Sequence, residues 1–446
     1  MNNLILIGLP GCGKSTLGRL TAEVLGREWI DLDTEIERTA GCPIPTLFAQ
    51  EGEDGFRQRE TAACRLAAQK QDCVISCGGG VVTRPQNMDL LGENGLIVFI
   101  DRPAERIVGD VDTARRPLLK DDAARLYRLA EQRQPLYRRY ADVTVRNDGE
   151  LSEAVAALVR IATLPPLRLA VIGDPIGHSR SPQIHLPTLH KFHPDTTYER
   201  IRVEKDGLAA FIAYAKTQLD GFNLTMPHKA DILPYLDHVD PLAKAIGAVN
   251  TVRVENGVLF GYSTDGGFYD ALAEEGFSLA GKHLVLLGAG GAADTLAVCG
   301  ASRGIGRLTV VSRRAAQGEA LLAKATAVRP DLSVKRYDFD HLSEAVAQAD
   351  VLVNATPLGM HGVEAEWEQL AFLRQLPPDA LVCDLIYNPS PTRFLSEAAT
   401  LGHPTVGGYP MLVWQGVLAD EIYLQTPLNR SRQAANVQRS LQPKEC

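Results

Sequence analysis

Short apolar runs alternate with amphipathic stretches along the first third of the chain. The apolar runs predict strands at 4–9, 73–77 and 96–101, and the amphipathic stretches predict helices at 14–26 and 150–162. Short apolar runs bounded by turn residues are typical of buried strands, and apolar positions three and four apart are typical of helices. Alternation of the two predicts an α/β domain with a parallel sheet flanked by helices.

The pattern is interrupted at residues 164–167, where two adjacent prolines break the preceding helix. We therefore predict one domain over 1–163 and a second α/β region that starts with a strand at 168. A strand followed by a helix begins again at 282–298, and 408–424 is an amphipathic helix. The second region is predicted to consist of a lobe over 168–270 completed by 404–428, a lobe over 271–403, and a polar, loosely ordered tail over 429–446.

The composition is that of a globular protein of several domains. The 446 residues are 45% hydrophobic and 22% charged, and the net charge of −8 gives no basic surface for nucleic acid or a membrane. No apolar run reaches the roughly 18 residues of a membrane span, and no basic leader precedes the first strand. The eight cysteines lack zinc-site spacing, which favours reduced thiols in a cytoplasmic protein without a structural metal.

A glycine-rich loop lies between the first predicted strand and helix. Gly8, Gly13, Lys14 and Ser15 have the GxxxxGKS spacing. In such a loop the backbone N–H groups converge on phosphate, the lysine adds a positive charge, and the serine hydroxyl ligates Mg²⁺. The context favours a nucleotide phosphate site over a glycine-rich turn without a ligand, but it does not define the acceptor.

Residues that could bind an acceptor follow this loop. In the stretch 29–37 a predicted strand ends with Asp31 and Asp33, which are two apart, so we expect both carboxylates on one face, one near Mg²⁺ and one near the acceptor hydroxyl. Further along the chain come Arg57 in "FRQRE", the triple glycine of "CGGGVV", Arg116 in "RRPLL" and Arg133 in "RQPLY". Taken singly, each arginine could equally be a solvated surface charge.

In this order and spacing, the motifs over residues 1 to about 160 resemble those of shikimate kinase. The resemblance implies that the ATP phosphates are bound by Gly11, Cys12, Gly13, Lys14, Ser15 and Thr16, with Arg116 in a lid over them. It implies that Ser15 and Asp31 hold Mg²⁺, and that Asp33 binds the acceptor hydroxyls and acts as the base. Shikimate would be held by Arg57, Gly79 and Arg133. Phosphoryl transfer depends on positioning and charge neutralisation, so Lys14 and Arg116 count as catalytic residues.

A second nucleotide motif follows the strand at 284–287. Gly288, Gly290 and Gly291 have the spacing of a dinucleotide-binding turn before a helix, with Ala289 and Ala292 between and after them. The next strand ends in Ser312-Arg313-Arg314, where NAD enzymes carry a carboxylate for the ribose 2′-hydroxyl. Two guanidinium groups attract a 2′-phosphate, so we predict NADPH rather than NADH.

Polar residues in the preceding lobe could form a substrate pocket. They are Ser179 and Ser181 in "GHSRSPQIH", Asn223, Thr225 and Lys229 in "GFNLTMPHK", Asn250 in "GAVNTV", and Asp265 in "GYSTDG". A lone lysine is usually a surface charge. A lysine beside a carboxylate, however, can transfer the proton that accompanies hydride transfer to a carbonyl.

With "NATPLGM", "DLIYNPSPTRFL" and "MLVWQ", these motifs resemble shikimate dehydrogenase from about 168 to about 425. The resemblance implies that Ser179, Ser181 and Tyr387 hold the substrate carboxylate, and that its hydroxyls meet Asn223, Thr225, Asn250 and Gln415. It makes Lys229 and Asp265 the catalytic pair and places Leu385 and Gly408 near the nicotinamide. Departures from the family pattern are Ser263 for Asn, Phe268 for Gly, and "GGYPML" at 407–412.

Together the two resemblances imply a P-loop kinase domain followed by a two-lobed dehydrogenase with an NADP-binding Rossmann lobe. Such a chain would reduce 3-dehydroshikimate with NADPH and phosphorylate shikimate with ATP and Mg²⁺, which are consecutive steps. One alternative is a quinate-type dehydrogenase joined to a kinase for another small polyol. A second is that one half is a degenerate binding or regulatory module, for which the altered 261–268 stretch makes the dehydrogenase half the better candidate.

Overall fold

A computed structural model describes residues 2–109 and 119–441. The chain divides into two compact units, the first comprising Met1–Leu167, Leu186–Thr196 and Leu424–Cys446, and the second comprising Arg168–His185 and Thr197–Tyr423. Within the described residues, no helix is both long and apolar enough to cross a membrane. The seven cysteines in this part of the chain are free thiols.

The first unit is built on a five-stranded sheet in which every strand pair is parallel. Its strands are β1 (Asn3–Ile7), β2 (Glu28–Asp31), β3 (Cys73–Ser76), β4 (Gly95–Asp101) and β5 (Val143–Arg146), in the order β2-β3-β1-β4-β5. Its helices are α1 (Lys14–Leu25), α2 (Leu32–Ala40), α3 (Ile44–Ala68), α4 (Pro85–Glu93), α5 (Ala104–Gly109), α6 (Leu119–Tyr140) and α7 (Leu151–Ala162). The central strands β1 and β3 are buried at every position, as expected for a parallel sheet that is covered on both faces.

The second unit contains two further sheets. The first has the strands β6 (Arg168–Gly173), β7 (Thr197–Arg202), β8 (Gly221–Leu224), β9 (His238–Val239), β10 (Thr251–Glu255) and β11 (Val258–Tyr262), in the order β7-β6-β8-β10-β11-β9. Its helices are α8 (Ser181–Phe192), which extends into the first unit, α9 (Leu208–Gln218), α10 (His228–Asp231), α11 (Pro241–Ile246) and α12 (Gly267–Glu274). The β10–β11 pairs are antiparallel, and Asn256 and Gly257 connect them with positive φ angles of 52° and 77°, as a tight hairpin turn requires.

The other sheet of the second unit is parallel throughout, in the order β14-β13-β12-β15-β16-β17. Its strands are β12 (His283–Leu287), β13 (Arg307–Val311), β14 (Ser333–Tyr337), β15 (Val351–Asn354), β16 (Leu381–Asp384) and β17 (Thr405–Val406). Its helices are α13 (Gly291–Ser302), α14 (Ala315–Val328), α15 (Leu342–Val346) and α16 (Arg393–Thr400), and they are followed by α17 (Gly408–Leu424). Leu284 and Leu286 pack into one apolar cluster while Val285 and Leu287 pack into another, so both faces of β12 are buried.

The α/β class predicted from the sequence pattern is confirmed, and two local expectations are wrong. Asp33 does not lie on a strand, because β2 ends at Asp31, whose side chain caps α2 by accepting hydrogen bonds from the N–H groups of Asp33 and Thr34. The loosely ordered tail is also wrong over Arg430–Leu441, which forms the helix α18. Gln433, Ala434 and Val437 on this helix are buried within the first unit, and this burial stabilises a segment whose composition alone gave no such signal.

Candidate active sites

The phosphate loop at the start of α1 has the backbone that its glycines were expected to allow. Gly8, Gly11 and Gly13 have φ angles of 152°, 80° and 98°, and the last two lie in the left-handed region that favours glycine. Lys14 is only 7% exposed, and its Nζ donates hydrogen bonds to the carbonyl oxygens of Gly8 (2.9 Å) and Leu9 (2.8 Å). The lysine ammonium is therefore held inside the loop, where it can meet the charge of a bound phosphate.

Two oxygen ligands suited to Mg²⁺ lie next to this loop. Ser15 Oγ donates a hydrogen bond of 2.6 Å to Asp31 Oδ2. The other oxygen of Asp31 accepts from the N–H groups of Asp33 (3.1 Å) and Thr34 (3.2 Å), which fixes the carboxylate. Hydroxyl and carboxylate oxygens are the ligands Mg²⁺ prefers, so the donor set fits the metal expected here.

The triple glycine after β3 provides a surface for two charged side chains. A Cβ atom on Gly78 would lie 2.6 Å from Asp33 Oδ1, and one on Gly80 would lie 2.2 Å from a guanidinium nitrogen of Arg57. Only glycine leaves room for both groups. The structure thus brings Asp33 and Arg57, which are 24 positions apart in the sequence, to one stretch of backbone.

The environment of Asp33 favours proton acceptance at a higher pH than usual. Burial is the largest cause that raises the pKa of Asp33 above 3.8, and the carboxylates of Asp31 and Glu37 raise it further. Lys14 and Arg57 act in the opposite direction. A carboxylate with a raised pKa is a better general base than one at its ordinary value.

Of the three arginines predicted for this site, the structure describes two. Arg57 is 7% exposed, and its Nη1 donates to Glu60 Oε2 at 2.7 Å. Arg133 on α6 is half-buried and lies close enough to Tyr137 and Glu60 to influence the pKa values of both. Arg116 lies outside the described residues, so its expected place in a lid stays a prediction.

Three further residues of the first site were missed in the sequence. Glu60, which is 1% exposed, holds Arg57; Tyr137 donates a hydrogen bond to the carbonyl oxygen of Gly79; and Asn147 Nδ2 donates to the carbonyl oxygen of Cys12 at 2.8 Å. Glu60 and Tyr137 stand inside the quoted motifs "FRQRE" and "RQPLY". Asn147 follows β5 and lies 135 positions from Cys12 in the sequence, and no local pattern indicates its role.

In the second unit, a cavity of about 390 Å³ is lined by every residue predicted to bind the substrate of the dehydrogenase reaction. These residues are Ser179, Ser181, Asn223, Thr225, Lys229, Asn250, Asp265, Tyr387 and Gln415. Leu385 and Gly408, predicted to lie near the nicotinamide, line the same cavity. The residues come from both sheets of the unit and from α17, so the fold assembles them from distant parts of the sequence.

A lysine–carboxylate pair lies in this cavity. Lys229 Nζ donates a hydrogen bond of 2.6 Å to Asp265 Oδ2, and Asn250 Nδ2 donates one of 2.9 Å to Asp265 Oδ1. Asn250 is itself fixed, because its Oδ1 accepts from the N–H of Thr264 at 2.8 Å. Thr264, which the sequence analysis did not select, therefore orients the amide that holds the carboxylate of Asp265.

The polar atoms of Asn223 already have protein partners. Its Oδ1 accepts hydrogen bonds from the hydroxyl groups of Tyr198 and Tyr423, and its Nδ2 donates to the carbonyl oxygen of Asn250 and to Thr251 Oγ1. An amide has two donor hydrogens and two acceptor lone pairs, so these four bonds occupy its full capacity. Asn223 thus lines the cavity as a fixed part of its floor, and the hydroxyl contact expected from the resemblance stays a prediction.

A buried hydrogen bond connects the two helices that carry Ser181 and Gln415. His185 on α8 and Asp420 on α17 are 1% and 0% exposed at their side chains, and Nδ1 lies 2.6 Å from Oδ1. The imidazole stacks on Tyr198 with 4.6 Å between ring centroids. Gly416 lets the helices approach, because a Cβ there would lie 2.3 Å from a side-chain carbon of Ile184. The two helices that contribute Ser181 and Gln415 to the cavity are therefore held together by buried contacts.

The predicted dinucleotide turn has the geometry that such a ligand requires. Gly288 has a φ of 107°, and a Cβ there would lie 3.0 Å from the carbonyl oxygen of Ala355. Around Gly290 and Gly291 a Cβ would meet no atom within 4 Å, and α13 begins at Gly291, so the backbone is open at a helix N-terminus. These features fit a pyrophosphate.

The residues predicted to select the nucleotide lie at the end of β13. Ser312 is buried, and its hydroxyl donates to the carbonyl oxygen of Arg314 at 3.2 Å. Arg313 and Arg314 are exposed just before α14. Their guanidinium groups are accessible at the position where a 2′-phosphate would bind.

A buried carboxylate at the end of β16 holds the segment that carries Leu385 and Tyr387. Asp384 accepts hydrogen bonds from Asn354 Nδ2 (3.0 Å), Thr392 Oγ1 (2.6 Å) and the N–H of Ile386 (3.1 Å). Burial raises the pKa of Asp384 to about 6, although these hydrogen bonds lower it. The segment after β16 is thereby fixed against the cavity.

The departures at 261–268 do not disturb the lysine–carboxylate pair. Phe268 is 2% exposed and belongs to the apolar cluster under β12. Gly267 makes the close approach in this stretch, since a Cβ there would lie 2.9 Å from the backbone nitrogen of Gln415. Phe268 therefore contributes to the core.

Comparison with known proteins gives matches for both halves of the chain. Family models described as shikimate kinase, shikimate dehydrogenase substrate binding domain, and shikimate / quinate 5-dehydrogenase match residues 10–162, 171–252 and 271–385. A shikimate kinase of Clostridium beijerinckii is 48% identical over 154 residues, which are 34% of this chain and 90% of that protein. An NADP⁺ shikimate dehydrogenase of Desulforamulus reducens is 39% identical over 258 residues, which are 57% of this chain and 88% of that protein.

A solved structure is similar to the second half. The shikimate 5-dehydrogenase of Thermus thermophilus, crystallised with NADP(H) and shikimate, is 34% identical, with a TM-score of 0.54. The match covers 62% of this chain and 100% of that chain. The similarity therefore extends over the whole length of a two-lobed dehydrogenase.

Proposed function

The chain belongs to the shikimate kinase family over its N-terminal part and to the shikimate dehydrogenase family over the rest, and on that premise we propose that it catalyses two consecutive reactions. The dehydrogenase half reduces 3-dehydroshikimate to shikimate with NADPH. The kinase half then phosphorylates the 3-hydroxyl of shikimate with ATP and Mg²⁺. The observation that carries the proposal is that each half brings predicted site residues together, namely the loop with Lys14 beside Asp33 and Arg57, and the pair of Lys229 and Asp265 in the polar cavity.

In the kinase half, the residues position the acceptor and neutralise charge. Arg57 and Arg133 are suited to a carboxylate, because a planar guanidinium can bind it through two parallel hydrogen bonds. Asp33 accepts the proton of the attacking hydroxyl, and its raised pKa favours this step. The ammonium of Lys14, held inside the loop by the carbonyl oxygen of Leu9, would neutralise charge on bound phosphates. When bound, Mg²⁺ neutralises phosphate charge, and Ser15 and Asp31 would hold it.

In the dehydrogenase half, the protein supplies a proton at a fixed position. NADPH supplies the hydride when it is bound at the Gly288 turn. Lys229 donates a proton to the oxygen of the substrate carbonyl as it becomes a hydroxyl, and Asp265 orients the ammonium through the 2.6 Å hydrogen bond. Asn250 Nδ2 holds the carboxylate of Asp265 by donating a hydrogen bond to its other oxygen, Oδ1.

The intact pair argues against the degenerate-module alternative. The dehydrogenase half retains its proton donor, its carboxylate and a cavity of about 390 Å³ around them. The departures Ser263 and Phe268 leave this pair in place.

A direct test of both activities is to mix the purified chain with shikimate and NADP⁺, and separately with shikimate and ATP. Reduction of NADP⁺ in the first and release of ADP in the second are expected, and failure of either would refute the assignment for that half.

The pH dependence of the kinase reaction tests the role of Asp33. Because its folded pKa is raised, kcat/KM should fall on the acidic side with an apparent pKa above 3.8. Glu37 raises this pKa through its charge, so Glu37→Gln should move the acidic limb to lower pH while leaving the maximal rate nearly unchanged. The matched control is Glu35→Gln on the same helix, since Glu35 pairs with Arg38. A limb that Glu37→Gln leaves in place would assign the titration to another group.

The choice between NADPH and NADH tests the role of the arginines after β13. Replacing Arg313 and Arg314 with alanine removes two guanidinium groups from the 2′-phosphate position, so the KM for NADPH should rise by about tenfold or more. Any KM for NADH should change far less. Arg307→Ala serves as the control, because Arg307 starts β13 and hydrogen-bonds Gln348 at 2.8 Å. Equal effects on both nucleotides would refute the assignment.

A further inference from the structure

Of the charged side chains that line the dehydrogenase cavity, Arg180 is left without an ion-pair partner among the described residues. Lys229 pairs with Asp265 at 2.6 Å, and Asp174, which also lines the cavity, pairs with Arg202 at 2.8 Å. Arg180 lines the cavity too, and in the described part of the chain it makes no ion pair with a carboxylate. The other lining groups that titrate are His178 and Tyr387. The cavity therefore carries an uncompensated positive charge, which suits a substrate with one negative charge.

Arg180 is held by its neighbours in a position over the cavity. Its Nη1 donates a hydrogen bond of 2.8 Å to the hydroxyl of Tyr409, and its guanidinium carbon lies 5.9 Å from the centroid of the Tyr409 ring. Tyr409 in turn packs edge-on against Tyr387 with 6.0 Å between centroids. Tyr409 belongs to the "GGYPML" stretch, one of the departures from the family pattern. An exposed arginine that is anchored by an aromatic ring loses less conformational freedom when it binds an anion.

The surrounding backbone favours an anion at the same place. Arg180 stands between Ser179 and Ser181, and Ser181 is the first residue of α8, a helix of 12 residues whose N-terminus carries partial positive charge. Arg200 fixes this turn, because its Nε donates to the carbonyl oxygen of Ser179 at 2.6 Å. Two hydroxyl groups, a helix N-terminus and a guanidinium group thus converge on one side of the cavity.

We propose that Arg180 is a further substrate-binding residue of the dehydrogenase, which pairs with the carboxylate of the acid and makes the cavity selective for the anion over uncharged analogues. The inference rests on the proposed function and deepens it. The hydroxyl groups of Ser179 and Ser181 are uncharged donors, so they would form hydrogen bonds to an ester carbonyl nearly as well as to a carboxylate. A guanidinium group distinguishes the two, since only the carboxylate offers it a charge.

The test compares shikimate with its methyl ester in the oxidation reaction with NADP⁺, using the full chain and Arg180→Gln. For shikimate, the KM should rise about tenfold, as expected for the loss of one charged hydrogen-bonded contact. For the ester, the KM, or the inhibition constant if it is not turned over, should stay within about twofold. The kcat for shikimate and the KM for NADP⁺ should be nearly unchanged. Increasing ionic strength should raise the shikimate KM of the wild type more than that of Arg180→Gln.

Two further variants complete the experiment. Arg307→Gln removes an exposed arginine that donates a hydrogen bond to the neutral side chain of Gln348, and it should leave both constants unchanged. Tyr409→Phe removes the anchoring hydroxyl and should raise the shikimate KM by less than Arg180→Gln does. An equal rise for acid and ester, or no rise for either, would overturn the inference while leaving the proposed function in place. A wild-type chain that does not oxidise shikimate would refute the proposed function itself.

Discussion

Replacing Lys14 with alanine is expected to lower the rate of shikimate phosphorylation by about a thousandfold and to leave the dehydrogenase rate unchanged. Lys14 is the cation inside the phosphate loop, held by the carbonyl oxygens of Gly8 and Leu9. A preorganised cation in a site that excludes water contributes to transition-state stabilisation on this scale. ADP release with shikimate measures the first activity, and the absorbance change of NADPH with 3-dehydroshikimate measures the second.

The control for this change is Arg19→Ala. Arg19 lies on the same helix, but it is exposed, and among the residues that the structure describes it forms an ion pair only with Glu23. Its replacement should leave phosphorylation unchanged, which separates loss of the phosphate contact from loss of helix α1. If Lys14→Ala also abolished the dehydrogenase activity, or if phosphorylation persisted without the lysine, the assignment of the loop would be wrong.

Replacing Lys229 with alanine is expected to have the reverse effect. The dehydrogenase kcat should fall by about a hundredfold to ten-thousandfold, because general acid catalysis contributes on this scale. Removal of the ammonium also leaves Asp265 without its charged partner in the cavity. Phosphorylation of added shikimate should continue at the wild-type rate. The same two assays apply.

Lys216→Ala is the matched control for the second change. Lys216 lies on α9 of the same lobe and pairs with Asp237 at 3.6 Å, away from the cavity. It should retain both activities. Loss of both activities in Lys229→Ala would contradict the division into two independent sites, and full dehydrogenase activity would assign the proton transfer to another group.

The features that could be predicted from the sequence are those that depend on neighbouring residues. The loop around Lys14 and the turn around Gly288 each combine a strand, glycines at fixed spacing and a helix, and all three lie within about 20 residues in the sequence. The helix predicted at 408–424 is confirmed as Gly408–Leu424, but its apolar residues lie on all sides of it, so the amphipathic pattern expected there is wrong. In the loop around Lys14 and the turn around Gly288 the local pattern and the fold agree.

Contacts over long sequence distances could not be predicted in this way. The amide of Asn223 is oriented by Tyr198 and by Tyr423, which is 200 positions away, so nothing near Asn223 shows that its hydrogen bonds are already used. The pair of His185 and Asp420 joins positions 235 apart. The carboxylates of the kinase site gave a local error, because Asp31 caps a helix where alternation suggested a continued strand.

The order of the final helix, α18, also could not be predicted from the sequence. Arg430–Leu441 has a polar composition and few apolar positions, so the sequence suggested little order. Its order depends on contacts that only the folded chain supplies. Asp142, which is 0% exposed, accepts hydrogen bonds from Arg432 Nε (2.9 Å), Gln433 Nε2 (3.0 Å) and Lys191 Nζ (2.6 Å). A polar helix can therefore be fixed by one buried carboxylate far from it in the sequence.

One measurement tests the central claim most directly, that two sites of one chain act in turn on the same cyclic acid. The purified full chain is mixed with 3-dehydroshikimate, NADPH, ATP and Mg²⁺, and the products are followed over time. Shikimate 3-phosphate should accumulate, with one NADPH oxidised and one ADP released for each molecule formed. Omitting ATP should stop the reaction at shikimate, and omitting NADPH should prevent ADP release. Release of ADP without NADPH, or the absence of the phosphorylated product from the complete mixture, would contradict the account.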